Sequence, residues 1–140
     1  MPVPSAVNTV VHEWVTKAEN DLRAAAYLLE PHEDRPTDAV CFHAQQCAEK
    51  YIKALLVLRA TDFPKTHDIG KLAALLPATL QPRLTPAEQR RLTGYAAAAR
   101  YPGSSEIALA EARRAVALAR RVRGEIRRAL PRETLRRKKR

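Results

Sequence analysis

Glycine, aromatic residues and long apolar runs are all scarce in this 140-residue chain, which has four glycines and in which aromatic residues make up 5%. No segment alternates apolar and polar residues convincingly at period two, and alanine is abundant, so strands are not expected. The longest apolar runs are a few residues, far below the ~20 needed to cross a bilayer. The opening "MPVPSAVNTVVHEW" lacks a basic region followed by an apolar one, and a soluble, cytoplasmic protein with no membrane association is expected. There is no glycine-rich phosphate loop, no histidine pair at metal spacing beside a carboxylate and no paired-cysteine zinc pattern, so no metal or cofactor is indicated. Cys41 and Cys47 lie six apart on a predicted helix, about 9 Å along its axis, where a disulfide would be strained. Both read as reduced core residues. A Cys47 nucleophile assisted by His43 is disfavoured, because Cys47 sits on an apolar seam where burial raises a thiol's pKa.

The formal net charge is +10, and its distribution is uneven. Residues 1–112 hold 12 Lys or Arg against 13 Asp or Glu, whereas residues 113–140 hold 13 against 2, giving −1 and +11. The end of the chain, "RETLRRKKR" after Pro131, has almost no apolar residues and is expected to be disordered. The reading is one domain over residues 1–130 and a basic tail over 131–140. Such a tail attracts phosphates without a sequence code, and a solubilising role fits it equally well.

Helical periodicity accounts for the rest. Val7, Val11, Trp14, Ala18, Leu22, Ala25 and Leu29 trace a stripe through a first helix from Ser5 to Glu30, which Pro31 ends. Thr37 can cap a second helix running to Arg59, with Val40, Ala44, Cys47, Tyr51, Leu55 and Leu58 as its seam. Phe63 before Pro64 breaks the pattern, and Thr66 is a candidate cap for a short third helix through Ile69, Leu72, Leu75 and Leu76. "TPAE" places Thr85 at a cap, Pro86 at the first helical position and Glu88 three residues after the cap, the strongest local start signal in the chain. That helix is expected to pass Ala99 and stop near "ARYPGSS". Ser104 or Ser105 then caps a last helix whose apolar face is Leu109, Ala112, Val116, Ala119, Val122 and Ile126. Arg113, Arg114, Arg120, Arg121, Arg127 and Arg128 are left toward water or a partner. The expected architecture is an all-α, antiparallel up-and-down four-helix bundle with a broken third helix.

Beside the second helix's apolar seam runs a polar stripe, His43, Gln46, Lys50 and Lys53, at the same three-to-four-residue spacing. It offers an imidazole, an amide and two ammonium groups, a set suited to anions and hydrogen-bonding bases. The plainer reading is a solvated face whose lysine stems cover apolar surface. Lys65 and His67 flank a helix start, where free amides favour an anion, although Asp68 can satisfy the same dipole. Arg100 and Tyr101 sit at a helix end as a phosphate fork and a stacking ring, or simply as turn anchors.

The tryptophan followed by "KAENDLRAA", then "CFHAQQCAEKYIKALL", "FPKTHDI" and "RYP", resembles in order and spacing the HEPN family of small helical-bundle proteins. The resemblance spans roughly Trp14 to Ile126. It implies a four- or five-helix bundle, usually a homodimer, with a cleft for nucleotide or RNA binding and often a minimal nucleotidyltransferase partner in a two-component toxin–antitoxin pair. Many relatives are metal-independent ribonucleases marked by an Arg followed, after four to six residues, by His. Here no histidine follows Arg100, and Arg35–His43 and Arg59–His67 each have seven residues between them.

The expected role is therefore a non-catalytic nucleotide- or RNA-binding module. Its candidate site is His43, Gln46, Lys50 and Lys53 on one wall, with Lys65, His67, Arg100 and Tyr101 on the rim. Tyr101, ahead of Tyr27, Tyr51 and Tyr95, is the candidate for nucleotide attachment by the partner. Two alternatives stand beside it. One is a ribonuclease with a divergent site, in which Arg100 steadies phosphate and His67 or His43 is acid or base, with Tyr101 a weak third candidate. The other is a nucleic-acid binder acting through the basic tail.

Overall fold

Helix α1, Ser5–Leu28, starts directly after Pro4, and the chain turns away at Leu29 and Glu30 before Pro31. The computed structural model describes residues 4–31, 34–97 and 106–136. Four further α-helices follow: α2, Thr37–Leu58; α3, Ile69–Ala74; α4, Pro86–Tyr95; and α5, Leu109–Ala129. Short 3-10 turns occupy Ala78–Leu80 and Arg132–Thr134. The described residues contain no strand, and the fold is all-α.

Helix α2 is the centre of the molecule, packed chiefly against α1 and α5. Its expected seam is buried from Val40 to Leu55 and half-buried at Leu58, and a second row, Cys41, Ala48, Ile52 and Leu56, is buried on another side of the same helix. Burying Ile52 and Leu56 contributes about 2 kcal/mol each by transfer. Contact order fixes the helix directions. Trp14 lies against Lys53 while Asp21 reaches His43, so α1 and α2 run antiparallel. Glu88 meets Arg121 and Arg91 meets Glu111, so α4 and α5 do as well.

Several expected helix ends are corrected. Thr37 does not cap α2: Pro36 holds that position, and the Thr37 hydroxyl instead donates to the Ile107 carbonyl at 2.7 Å, tying α2 to the segment before α5. Asp68, not Thr66, caps α3, accepting from the Lys71 amide at 3.0 Å, while the Thr66 hydroxyl accepts from the Asp68 amide. The Thr85–Glu88 capping box is present with both bonds made. Helix α4 ends at Tyr95, earlier than expected, and α5 begins after Ala108; Ser104 and Ser105 lie outside the described residues.

Helix α2 closes with an amide-to-carbonyl pair, Thr61 to Leu56 and Ala60 to Val57, the bonding of a Schellman cap. Ala60 takes the left-handed position, with φ of 54°, where glycine is the usual occupant.

The expected tail starts too early. Through Arg136 the chain lies against α1: Thr134 is fully buried, its carbonyl accepts from His12 Nδ1 at 2.9 Å, and Leu135 packs on the core. Thr134 and Leu135 supply what the compositional reading overlooked, something to bury. Arg127 is likewise half-buried rather than turned wholly to water, bonding Glu19 and Tyr51.

Candidate functional site

The polar stripe of α2 is held by two carboxylates. Asp21, buried on α1, accepts from His43 Nδ1 at 2.8 Å and from Lys50 Nζ at 2.6 Å. Glu49, on α2 itself, accepts from Lys53 Nζ at 2.9 Å, from His67 Nδ1 at 2.8 Å and from Gln45 Nε2 at 3.0 Å. A carboxylate only accepts, so both imidazoles carry a proton on Nδ1, and in the neutral form each presents Nε2 as an acceptor. Gln45 also donates to the His67 carbonyl at 3.1 Å and accepts from the Gln46 amide at 2.6 Å. The result is a row of two bonded clusters from His43 to His67, one gathered on Asp21 and one on Glu49.

Lys53 has a second constraint. Its ammonium sits 5.6 Å from the Trp14 ring centroid and 5.5 Å from that of Phe63, and the two rings meet edge to face. A cation between two aromatic faces and a carboxylate is satisfied on every side. Burial alone would raise the Glu49 carboxyl, but the bonds from Gln45, Lys53 and His67 outweigh it and hold the group below its ordinary value. Glu49 is therefore an anion at neutral pH.

Among the expected site residues, His43 and Lys50 are thus brought together on Asp21, and Gln46, Lys53 and His67 in the cluster of Glu49. Lys65 is exposed and makes no hydrogen bond or ion pair among the described residues. Arg100 and Tyr101 lie outside the described residues. The patch is also less cationic than the stripe alone suggests, because Asp21 and Glu49 balance Lys50 and Lys53. Sequence reading missed Asp21, Gln45, Glu49, Trp14 and Phe63. The spacing Gln45, Glu49, Lys53 at successive i, i+4 steps was the available signal.

Of the tyrosines considered for modification, Tyr51 is fully buried, and burial pushes its phenol up to about 12. Tyr95 is 6% exposed and its phenol is also raised by burial. Tyr27 is 71% exposed, the accessible phenol among these three. Cys47 is buried and its thiol is pushed up by burial first, then by Glu19 and Asp21, which removes it as a nucleophile.

A concavity opens elsewhere. A cleft of about 640 Å³ lies between α1, α5 and the C-terminal segment, with Val15 and Leu135 among its apolar lining. At its side Glu19 accepts from Arg123 Nη2 at 2.7 Å and Nε at 2.9 Å, and from Arg127 at 3.2 Å. Burial would raise Glu19, but the bonds and charge of Arg123 lead the groups that keep it low. Among the described residues, no group of three or more His, Cys, Asp or Glu could hold a metal ion. No helix there is long and apolar enough to cross a membrane.

The family model of the HEPN domain matches residues 11–129. The chain belongs to the HEPN family. The match contains every residue of the Asp21 and Glu49 networks and ends at the last residue of α5, so the C-terminal segment that walls the cleft falls beyond it. Comparisons with curated proteins and with solved structures give no significant match. Within this HEPN domain, the Arg–His spacing of the ribonuclease signature is absent from the sequence.

Proposed function

We propose that this HEPN protein is a non-catalytic module that binds a nucleotide or RNA and acts with a minimal nucleotidyltransferase in a two-component, toxin–antitoxin-like system. The observation that carries the binding role is the row from His43 to His67. Its donors and acceptors are fixed in advance by two carboxylates, so little side-chain freedom remains to be lost on binding. With its lysines balanced, the row suits the edges of a base and the hydroxyls of a ribose better than bare phosphate. Lys65, Arg100 and Tyr101 complete the proposed rim. The nucleotidyltransferase partner, the homodimer and the cytoplasmic location rest on the HEPN resemblance and on composition.

The test is fluorescence anisotropy of a labelled single-stranded RNA and of a labelled ATP analogue, comparing the wild type with His43→Ala/Lys50→Ala. Both positions are only half-buried, and Asp21→Asn is added so that the variant leaves no buried carboxylate unpaired; its melting curve checks that it folds. Loss of affinity for either probe supports the site; unchanged affinity for both removes it. Co-expression with a neighbouring transferase, followed by a high-salt wash and intact-mass measurement, tests the partnership and any adduct.

A second reading has one observation in its favour. The pairs Asp21–His43 and Glu49–His67 each orient an imidazole by a carboxylate, as acid–base chemistry at a 2′-hydroxyl would require. In that reading the protein is a metal-independent ribonuclease with Arg100 on the phosphate. Cleavage in the presence of a chelator, abolished by His67→Gln, would support it. RNA that binds and stays intact would exclude it.

A further inference from the structure

The cleft between α1, α5 and the C-terminal segment is separate from the α2 patch. At 100° per residue, Asp21 and Trp14 lie on one edge of α1, while Thr16, Glu19 and Arg23 lie about half a turn away on the other. The cleft's charge is also different. Lys17, Arg23, Arg123, Arg127 and Arg136 face it, against Glu13 and Glu19, five cations to two anions. Glu19 takes Arg123 and Arg127 together, one carboxylate for two guanidinium groups a turn apart on α5. Lys17 and Arg136 are exposed and form no ion pair among the described residues. Arg23 bonds only the Asn20 side chain there.

We propose that this cleft is a binding site for a small phosphate ester or diphosphate. Its volume of about 640 Å³ falls within the range of pockets for small ligands, roughly 300–1,000 Å³. The surplus of three positive charges matches a phosphate group with two or three negative ones, and guanidinium forks suit its oxygens geometrically. Glu19 and the Tyr51 hydroxyl hold Arg127 in place before any ligand arrives, with Arg127 Nη1 3.2 Å from each of them. Val15 and Leu135 give the non-phosphate part of an ester an apolar surface to rest on. A concave site with such a lining favours a compact ligand over an extended polyanion.

The experiment is isothermal titration calorimetry with inorganic pyrophosphate at moderate salt. Saturable one-to-one binding is expected, weakened at least about tenfold in Lys17→Glu/Arg136→Glu. It should be unchanged in Arg113→Glu/Arg114→Glu, which alters the net charge equally about 14 Å or more along α5 from Arg123, outside the cleft lining. Thr16→Trp, which fills the cleft without changing charge, should weaken binding too, and melting curves confirm that each variant folds. Absence of saturable binding overturns the proposal. Equal weakening in both charge-reversal variants also does, because it reports diffuse attraction. So does capture of a single-stranded RNA that pyrophosphate fails to displace from the same residues.

Discussion

Glu49 and His67 meet at 2.8 Å, a carboxylate with 4% of its side chain exposed holding an imidazole with 52% of its own exposed. The contact joins the middle of α2 to the turn before α3. Glu49 also neutralises Lys53. Glu49→Ala leaves Lys53 as an unpaired buried cation and should destabilise the fold by about 3 to 5 kcal/mol. Urea denaturation measures this, and a change below about 1 kcal/mol would mean that the network does not hold the fold.

Three carboxyls, Glu19, Glu49 and Glu88, are held low, and the pH dependence follows chiefly from Glu19 and Glu49, the two set in from the surface. Each sits below its ordinary value of 4.5 when folded, so below that pH the unfolded chain takes up protons that the folded chain refuses. Their contribution is complete above pH 4.5 and is lost as the pH falls through the folded values. Stability measured between about pH 3 and 6 should therefore rise with pH, and the rise should be shallower in Glu19→Gln. An identical slope in the variant would rule out Glu19 as a contributor.

Ala60 closes α2 in the left-handed region at a φ of 54°. A Cβ there is unfavourable by about 1 to 2 kcal/mol, partly offset by the greater freedom glycine gives the unfolded chain. Ala60→Gly should stabilise the protein by about 0.5 to 1 kcal/mol, visible as a higher denaturation midpoint.

The Tyr95 hydroxyl is buried and has no hydrogen-bond partner among the described residues. A buried, unsatisfied hydroxyl is unfavourable by about 1 to 3 kcal/mol, so Tyr95→Phe should be neutral or stabilising, by up to about 1 kcal/mol. A loss of more than about 1 kcal/mol would reveal a partner for the phenol.

Burial pushes the Cys41 thiol up to about 12 and also raises Cys47. Neither should react with a thiol-specific disulfide reagent in the native state at neutral pH, and both should react after unfolding in urea. Rapid labelling of the folded protein would contradict the burial of both.

What was legible in the sequence was local. The α1 stripe, the α2 seam and the Thr85–Glu88 capping box each depend on residues within a few turns of one another, where spacing carries the physics. The short cap at Asp68 was obscured because Thr66 and Asp68 compete for the same role and both form bonds. The polar stripe was readable as a stripe, but its partners were not. Asp21 is 22 residues from His43 and 29 from Lys50, and no periodicity within α2 reveals that those groups are already paired. Burial of α2 on a second side escaped notice for the same reason, since Cys41, Ala48 and Ile52 gain neighbours only from distant helices. The C-terminal segment was judged on its charge, although one threonine and one leucine were enough to anchor it.

That anchoring brings the beginning and the end of the described chain together. Asn8 reaches Glu133 at 3.4 Å and His12 reaches Thr134, so α1 starts beside the place where the C-terminal turn stops. Anything fused ahead of α1 or behind Arg136 would emerge from the same pole of the bundle. The polar row toward Asp21 and His43 lies further along α1, away from that pole. A label placed on Arg136 would therefore sit in the lining of the cleft, and one on Ser5 about two turns of α1 from it.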